Sequence, residues 1–112
     1  MNKQRRKEIR DIIQKLEQIC DKLNTDYVIE DITSRLMEIG DEIGFILFDE
    51  ECYKENIPEN MQGGSKYEAA EEACENLEYA KDSIDDASER MDNKDTLFKC
   101  IEHGIDYLYD AI

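Results

Sequence analysis

A row of carboxylates is the most distinctive chemical feature of this sequence. Acidic residues recur at alternating steps of four and three: Glu71, Glu75, Glu78, Asp82, Asp85, Glu89 and Asp92. Such steps keep side chains on one face of an α-helix. At about 1.5 Å of rise per residue, neighbouring carboxylates stand roughly 5 Å apart, a spacing comparable with that of phosphates along one nucleic acid strand. We call this predicted array of negative charge the acidic ladder, which Glu72 and Asp86 widen.

The ladder opposes folding. Like charges three or four residues apart destabilise a helix by a few tenths of a kcal/mol per pair, so six successive pairs cost roughly 1 to 3 kcal/mol before salt screening. Solvated helix faces usually mix Lys with Glu, but Lys81 and Arg90 are the only bases between residues 71 and 92. Two interpretations stay open: an ordinary acidic surface, or a surface shaped to engage a basic, nucleic-acid-binding site on another protein.

A second acidic cluster precedes the ladder in the chain. Its members are Glu38, Asp41, Glu42, Asp49, Glu50, Glu51, Glu55 and Glu59. Both clusters flank one loop, so we expect the cluster to support the ladder in binding a partner. The predicted partner-binding residues are Glu71, Glu75, Glu78, Asp82, Asp85 and Glu89, supported by Glu50, Glu51 and Glu55.

The charge is unevenly distributed along the 112 residues. There are 14 basic and 29 acidic residues, for a formal net charge of −15. Residues 1–10 hold five of the bases and one acid, so the rest of the chain carries 9 − 28 = −19. That charge would repel phosphates, which disfavours direct nucleic acid binding. We expect Arg5, Arg6 and Arg10 to lie against acidic faces of neighbouring helices or to contact the partner.

Catalytic and metal-binding patterns are weak. The acidic residues lack the order of an EF-hand loop, and no Glu-x-x-His pair is present. Cys100 and His103 are three residues apart, but a structural zinc site needs about four ligands and no Cys-x-x-Cys accompanies them. No nucleophile or oxyanion-hole element accompanies the single histidine. We therefore predict a protein that is not an enzyme and has no metal or cofactor.

Apolar residues at steps of three and four predict helices over residues 3–23, 26–55, 66–91 and 95–111. Pro58, Gly63 and Gly64 mark a loop over residues 56–64, and Ser65 with Glu68 fits a capping box. The fold class is all-α, a single domain forming a small coiled-coil-like bundle of three to four antiparallel helices. The apolar run Phe45–Phe48 leaves a buried strand as an alternative there.

The second helix has more apolar surface than one stripe requires. Met37, Phe45 and Phe48 lie off the main stripe, and Gly40 and Gly44 would let another backbone approach closely. Two interpretations are open: a central helix inside its own bundle, or a homodimer seam or partner groove.

Four cysteines, Cys20, Cys52, Cys74 and Cys100, are expected to be reduced thiols, because three of them fall at core-like positions. The longest apolar run has four residues, far short of the roughly 20 that span a membrane. The N-terminal residues lack a secretory pattern. We expect a cytoplasmic protein with no membrane association.

The loop and the start of the third helix carry a resemblance. Residues 56–62 (Asn-Ile-Pro-Glu-Asn-Met-Gln), then 64–68 (Gly-Ser-Lys-Tyr-Glu), Ala70, Glu71 and Leu77, resemble a pattern of small acidic helical proteins from phages and prophages of Gram-positive bacteria. That pattern is an acidic helix, an Asn-x-Pro-Glu-x-x-Gln turn and another acidic helix. The opening residues 1–7 are similar too. The likeness covers residues 1–23 and about 46–91.

The resemblance implies a class of function. Phage proteins of this size and acidity include anti-CRISPR inhibitors, among them DNA mimics that occupy the nucleic-acid channel of Cas nucleases. The leading hypothesis is a non-enzymatic inhibitor of a host defence nuclease, acting in the bacterial cytoplasm on a basic nucleic-acid-binding protein such as a Cas effector. The alternative is a structural or regulatory interaction module, such as an assembly adaptor or homodimer, that binds through the apolar second helix.

Overall fold

The computed structural model of the chain consists of four α-helices. They are α1 (Lys3–Leu23), α2 (Ile29–Glu55), α3 (Ser65–Glu89) and α4 (Lys94–Ala111), with a short 3-10 helix at Glu59–Met61. The structure describes residues 1–25, 29–90 and 92–112; the predicted start of the second helix and end of the third fall partly outside these ranges. The predicted all-α bundle is confirmed, and the strand alternative for Phe45–Phe48 is wrong because this run lies within α2.

Neighbouring helices run antiparallel. Arg5 of α1 pairs with Glu50 of α2, and further along α1 Lys15 pairs with Glu42, so residue numbers rise in one helix as they fall in the other. The same reversal relates α2 to α3 and α3 to α4, and α4 also packs against α1. The result is an up-down-up-down four-helix bundle measuring 54 × 21 × 18 Å.

The size of the core residues sets the spacing of the helices. Most buried positions of α1 are isoleucine or leucine, whereas α3 buries the four alanines Ala70, Ala73, Ala80 and Ala87. Small side chains let backbones approach, and α3 packs closely along both α2 and α4. The bulkier residues of α1 hold it further from α2. The wider α1–α2 interface leaves a groove on the surface.

Helix starts use different caps. Asn2 and Asn93 accept hydrogen bonds from the backbone N–H groups of Arg5 (2.8 Å) and Thr96 (3.1 Å). At α3, Gly64 occupies the N-cap position without a side-chain hydrogen bond, and Ser65 is already helical. The predicted capping box is therefore wrong. A capping Ser65 would require the helix to begin at residue 66, but the helix already begins at Ser65.

No helix within the described residues is long and apolar enough to cross a membrane.

Candidate acidic interaction surface

The ladder follows from the inner face of α3. The core-facing residues of α3 include positions 70, 73, 77, 80, 84 and 87. Ladder positions 71, 78 and 85 each follow a core residue by one position, and positions 75, 82 and 89 follow one by five. Both offsets turn a side chain away from the core. Five ladder carboxylates are exposed on this outer face: Glu71, Glu75, Glu78, Asp82 and Glu89. None of the five takes part in an ion pair within the residues that the structure describes. From Glu71 to Glu89 the row spans roughly 27 Å of helix.

Asp85 departs from the prediction. Its side chain is half-buried and accepts a hydrogen bond from Lys81 Nζ at 2.8 Å. The carboxylate lies over Gly40 of α2, and the aliphatic stem of Lys81 lies over Gly44. The two glycines thus accommodate this pair at the α2–α3 interface. Asp85 is consequently a neutralised rung, and the row of free charges has a gap between Asp82 and Glu89.

The flanking acids also differ from one another. Glu72 is exposed, whereas Asp86 lies 3.4 Å from Arg90 Nε and accepts a hydrogen bond from the Cys100 thiol at 3.7 Å. Asp92 is exposed but follows the C-terminal end of α3, so it does not continue the helical row. At the C-terminal end of α3, the array of unpaired carboxylates therefore lacks Asp86 and Asp92, which the sequence predicts to be part of it.

Glu50 is not available to a partner. Its side chain is fully buried, and its Oε2 accepts a hydrogen bond from Arg5 Nε at 2.7 Å. Its Oε1 lies 3.2 Å from the Met1 ammonium nitrogen without hydrogen-bond geometry. The Arg5 guanidinium also lies 5.6 Å from the centre of the Tyr53 ring. The interpretation of Glu50 as a partner-binding residue is wrong, because the carboxylate ties α1 to α2 inside the bundle.

The two other supporting acids are placed differently. Glu51 is half-buried, and Glu55 is exposed at the last position of α2. Because α2 and α3 are antiparallel neighbours joined by the 56–64 loop, Glu55 lies at the same end of the bundle as Glu71. Glu55 therefore adds an exposed carboxylate at the end of the bundle where the ladder begins.

The outer face of α2 exposes large apolar side chains. The exposed fractions are 73% for Phe45, 63% for Phe48 and 58% for Met37. Exposed aromatic residues so close together are a feature of interaction surfaces. The glycines of α2 serve the bundle itself, whereas these side chains find no cover within the described chain.

Two of the thiols, those of Cys20 and Cys74, are poor nucleophiles. All four cysteines are free. Burial raises the pKa of the Cys20 thiol to about 11, with a further rise from the nearby Glu102 carboxylate. Burial also raises the pKa of the Cys74 thiol to about 11. Both are protonated at neutral pH and lack nucleophilic activation. Within the described ranges, no group of three or more His, Cys, Asp and Glu side chains is arranged to hold a metal ion.

Comparisons with protein-family models, curated proteins and solved structures found no match for this chain.

Proposed function

We propose that this protein is a non-enzymatic inhibitor that occupies a basic nucleic-acid-binding site of another protein, with the ladder carboxylates in place of phosphates. The observation that carries the proposal is the row of five exposed carboxylates without ion-pair partners on α3. Their spacing is close to that of backbone phosphates, and the packed inner face of α3 holds them in line.

The mechanism is competition. A helix packed against α2 and α4 presents its charges in a fixed arrangement, so little ordering is needed when the partner binds. Carboxylates that replace phosphates at Lys and Arg side chains release bound ions, and the net charge of −15 steers encounter with a cationic site. Affinity should therefore fall steeply with salt.

Within this function, the proposed class is an anti-CRISPR-like phage protein that blocks a host defence nuclease, such as a Cas effector, in the bacterial cytoplasm. Its support is the residue pattern of the 56–71 segment together with the acidity of α3. Assignment to this class is an analogy with other acidic phage inhibitors.

The test is a capture experiment with two charge-matched variants. Tagged protein is incubated with a lysate of a Gram-positive host, and the captured proteins are eluted first with duplex DNA and then, for those that remain bound, with denaturant. The first variant reverses three exposed ladder residues: Glu75→Lys, Glu78→Lys and Asp82→Lys. The control makes the same charge change at exposed positions of α4: Glu102→Lys, Asp106→Lys and Asp110→Lys.

We expect a captured protein that duplex DNA displaces, that the ladder variant loses and that the α4 control keeps. Its affinity should weaken by an order of magnitude or more between about 50 and 200 mM salt. Capture that the ladder variant retains, or that neither DNA nor salt weakens, would contradict phosphate imitation.

A second candidate function has its own supporting observation, the exposure of Phe45 and Phe48 on α2. It is an interaction module that binds a partner or a second copy through this apolar face. The same capture experiment separates the two, because binding through the apolar face of α2 survives reversal of the ladder charges, whereas binding of a phosphate mimic does not.

A further inference from the structure

A groove runs along the interface of α1 and α2, on the opposite side of α2 from α3. It consists of two adjoining cavities of about 250 and 200 Å³. Ile12 and Ile46 lie at the bottom of the larger cavity, and Ile19 and Ile39 lie at the bottom of the smaller one. The groove thus reaches core isoleucines along two turns of α1, about 10 Å.

The larger cavity combines an aromatic wall with an acidic rim. Phe45, which is 73% exposed, forms part of its lining. Its charged lining residues are Glu8, Asp11, Lys15, Glu42 and Asp49. Lys15 bridges to Glu42 at 3.2 Å, so one cation is already paired and three carboxylates remain. The smaller cavity adds one base, Arg35, and one further acid, Glu38, so the whole groove keeps a net negative charge and favours an occupant with both apolar surface and positive charge.

Charge decides between the possible occupants. A second copy packed with the two-fold axis at Phe45 would bring the acids around Phe45 against the same acids, and like charges in contact are strongly disfavoured. A cationic segment would meet them as partners. The larger cavity, of about 250 Å³, has room for one or two apolar side chains.

We propose that the α1–α2 groove binds a cationic amphipathic helix of a partner protein. Apolar side chains at three- and four-residue spacing contact Ile12, Ile46 and the Phe45 ring, while Lys or Arg side chains pair with Asp11 and Asp49. This site lies apart from the ladder and does not depend on the ladder's role.

The probe is a fluorescent helical peptide of about 14 Leu and Lys residues, with leucines at three- and four-residue spacing. Its affinity is measured by fluorescence anisotropy. Phe45→Ala should weaken binding by about fivefold or more, the usual effect of truncating an aromatic anchor. Phe48→Ala is the matched control, since Phe48 is exposed on the same helix but does not line the groove, and it should change affinity by less than about twofold.

A charge-matched pair tests the acidic rim. Asp11→Lys with Asp49→Lys should weaken peptide binding about tenfold more than Glu75→Lys with Glu78→Lys, although both pairs change the net charge equally. Equal weakening by the two pairs would mean that the peptide senses only overall charge, which would overturn the proposal.

Isoleucine methyl NMR spectra locate the bound peptide. We expect the methyl signals of Ile12 and Ile46 to shift, while Ile84, buried between α3 and α4, stays unchanged. Shifts confined to residues outside the groove would overturn the proposal. So would light scattering that finds a dimer of the unmodified protein which Phe45→Ala dissociates, because the face would then belong to a second copy.

Discussion

At the scale of single residues, Glu50 and Arg5 determine how α1 meets α2. Both charges lie almost out of contact with water, with 0% and 13% of their side chains exposed. A buried pair gains little net stability over apolar residues of similar size, but removing one partner leaves a charge that is costly to bury. The pair therefore fixes the α1–α2 register more than it adds stability.

Substitution of Glu50 should reveal this asymmetry. Glu50→Ala should lower the free energy of unfolding by about 2 to 3 kcal/mol, because Arg5 and the Met1 ammonium lose their buried partner. Glu55→Ala, at an exposed position of the same helix, should change it by less than about 0.5 kcal/mol. Urea denaturation followed by circular dichroism measures both.

A double variant tests the cause of the loss. Arg5→Met combined with Glu50→Leu replaces the pair with apolar side chains and should recover most of the stability. Equal losses in the Glu50→Ala and Glu55→Ala proteins would show that Glu50 makes no specific contribution.

The burial of Glu50 has a sequence signal. The core stripe of α2 runs through Ile39, Ile43 and Ile46 at steps of four and three, and the next position in that series is residue 50. Arg5 likewise stands four residues before Ile9, the first buried residue of α1. The charge of Glu50 and Arg5 predicts that they are exposed, whereas the spacing of the core residues predicts that they are largely buried. In the structure the spacing gives the correct result for both residues.

Other features of the site have weaker signals. The pairing of Lys81 with Asp85 follows from their four-residue spacing, whereas the position of Asp85 over Gly40 depends on how α2 and α3 pack. The α1–α2 groove depends on the distance between two helices, which side-chain sizes set only after the whole bundle is assembled. The features of the site that depend on contacts between helices therefore cannot be predicted from the sequence alone.

At the scale of helices, periodicity is a strong guide. The apolar spacing places α1 over its full length and, within the described residues, places the other helices to within a few residues of their ends. The exact starts depend on caps, as the use of Gly64 in place of Ser65 shows. The close approach of α3 to α4 is also visible in residue type, since Gly104 of α4 lies against the Ile84 side chain and near the backbone carbonyl of Ala80.

Gly104 tests that close approach. A Cβ at this position would lie 2.7 Å from Ile84 Cδ1 and 3.1 Å from its Cγ1, and Ile84 is fully buried. We expect Gly104→Ala to lower the free energy of unfolding by about 1 to 2 kcal/mol, although alanine favours helix over glycine by about 1 kcal/mol. Thermal and urea unfolding measure the change.

The companion variant removes the clashing methyl group. Ile84→Val alone should cost about 1 kcal/mol as a small cavity, but combined with Gly104→Ala it should be less destabilising than the two single losses added together. Strict additivity would show that the α3–α4 interface relaxes around the new methyl group by another route.

At the scale of the whole molecule, the balance is between a well-filled core and a large negative charge. Isoleucine, leucine and alanine side chains from all four helices form one continuous buried cluster. The cluster supports the fold, while the net charge of −15 opposes compaction within a bundle only about 20 Å across. The surplus negative charge is thus carried at a cost to stability.

That cost predicts how stability responds to salt. The Debye length falls from about 30 Å at 0.01 M to about 8 Å at 0.15 M, so sodium chloride in this range screens repulsion across the whole width of the bundle. The free energy of unfolding should rise by about 1 kcal/mol, since folding brings the acids together.

Reversing Glu75, Glu78 and Asp82 to Lys changes the net charge from −15 to −9, two units for each residue. This variant should be more stable than the unmodified protein at low salt, and its free energy of unfolding should depend less on salt. The α4 control, with Glu102, Asp106 and Asp110 reversed, reaches the same net charge and separates local from overall repulsion. A larger effect from the ladder variant would place the repulsion on α3, whereas stability that stays constant or falls with added salt in the unmodified protein would show that the ladder carries no such cost.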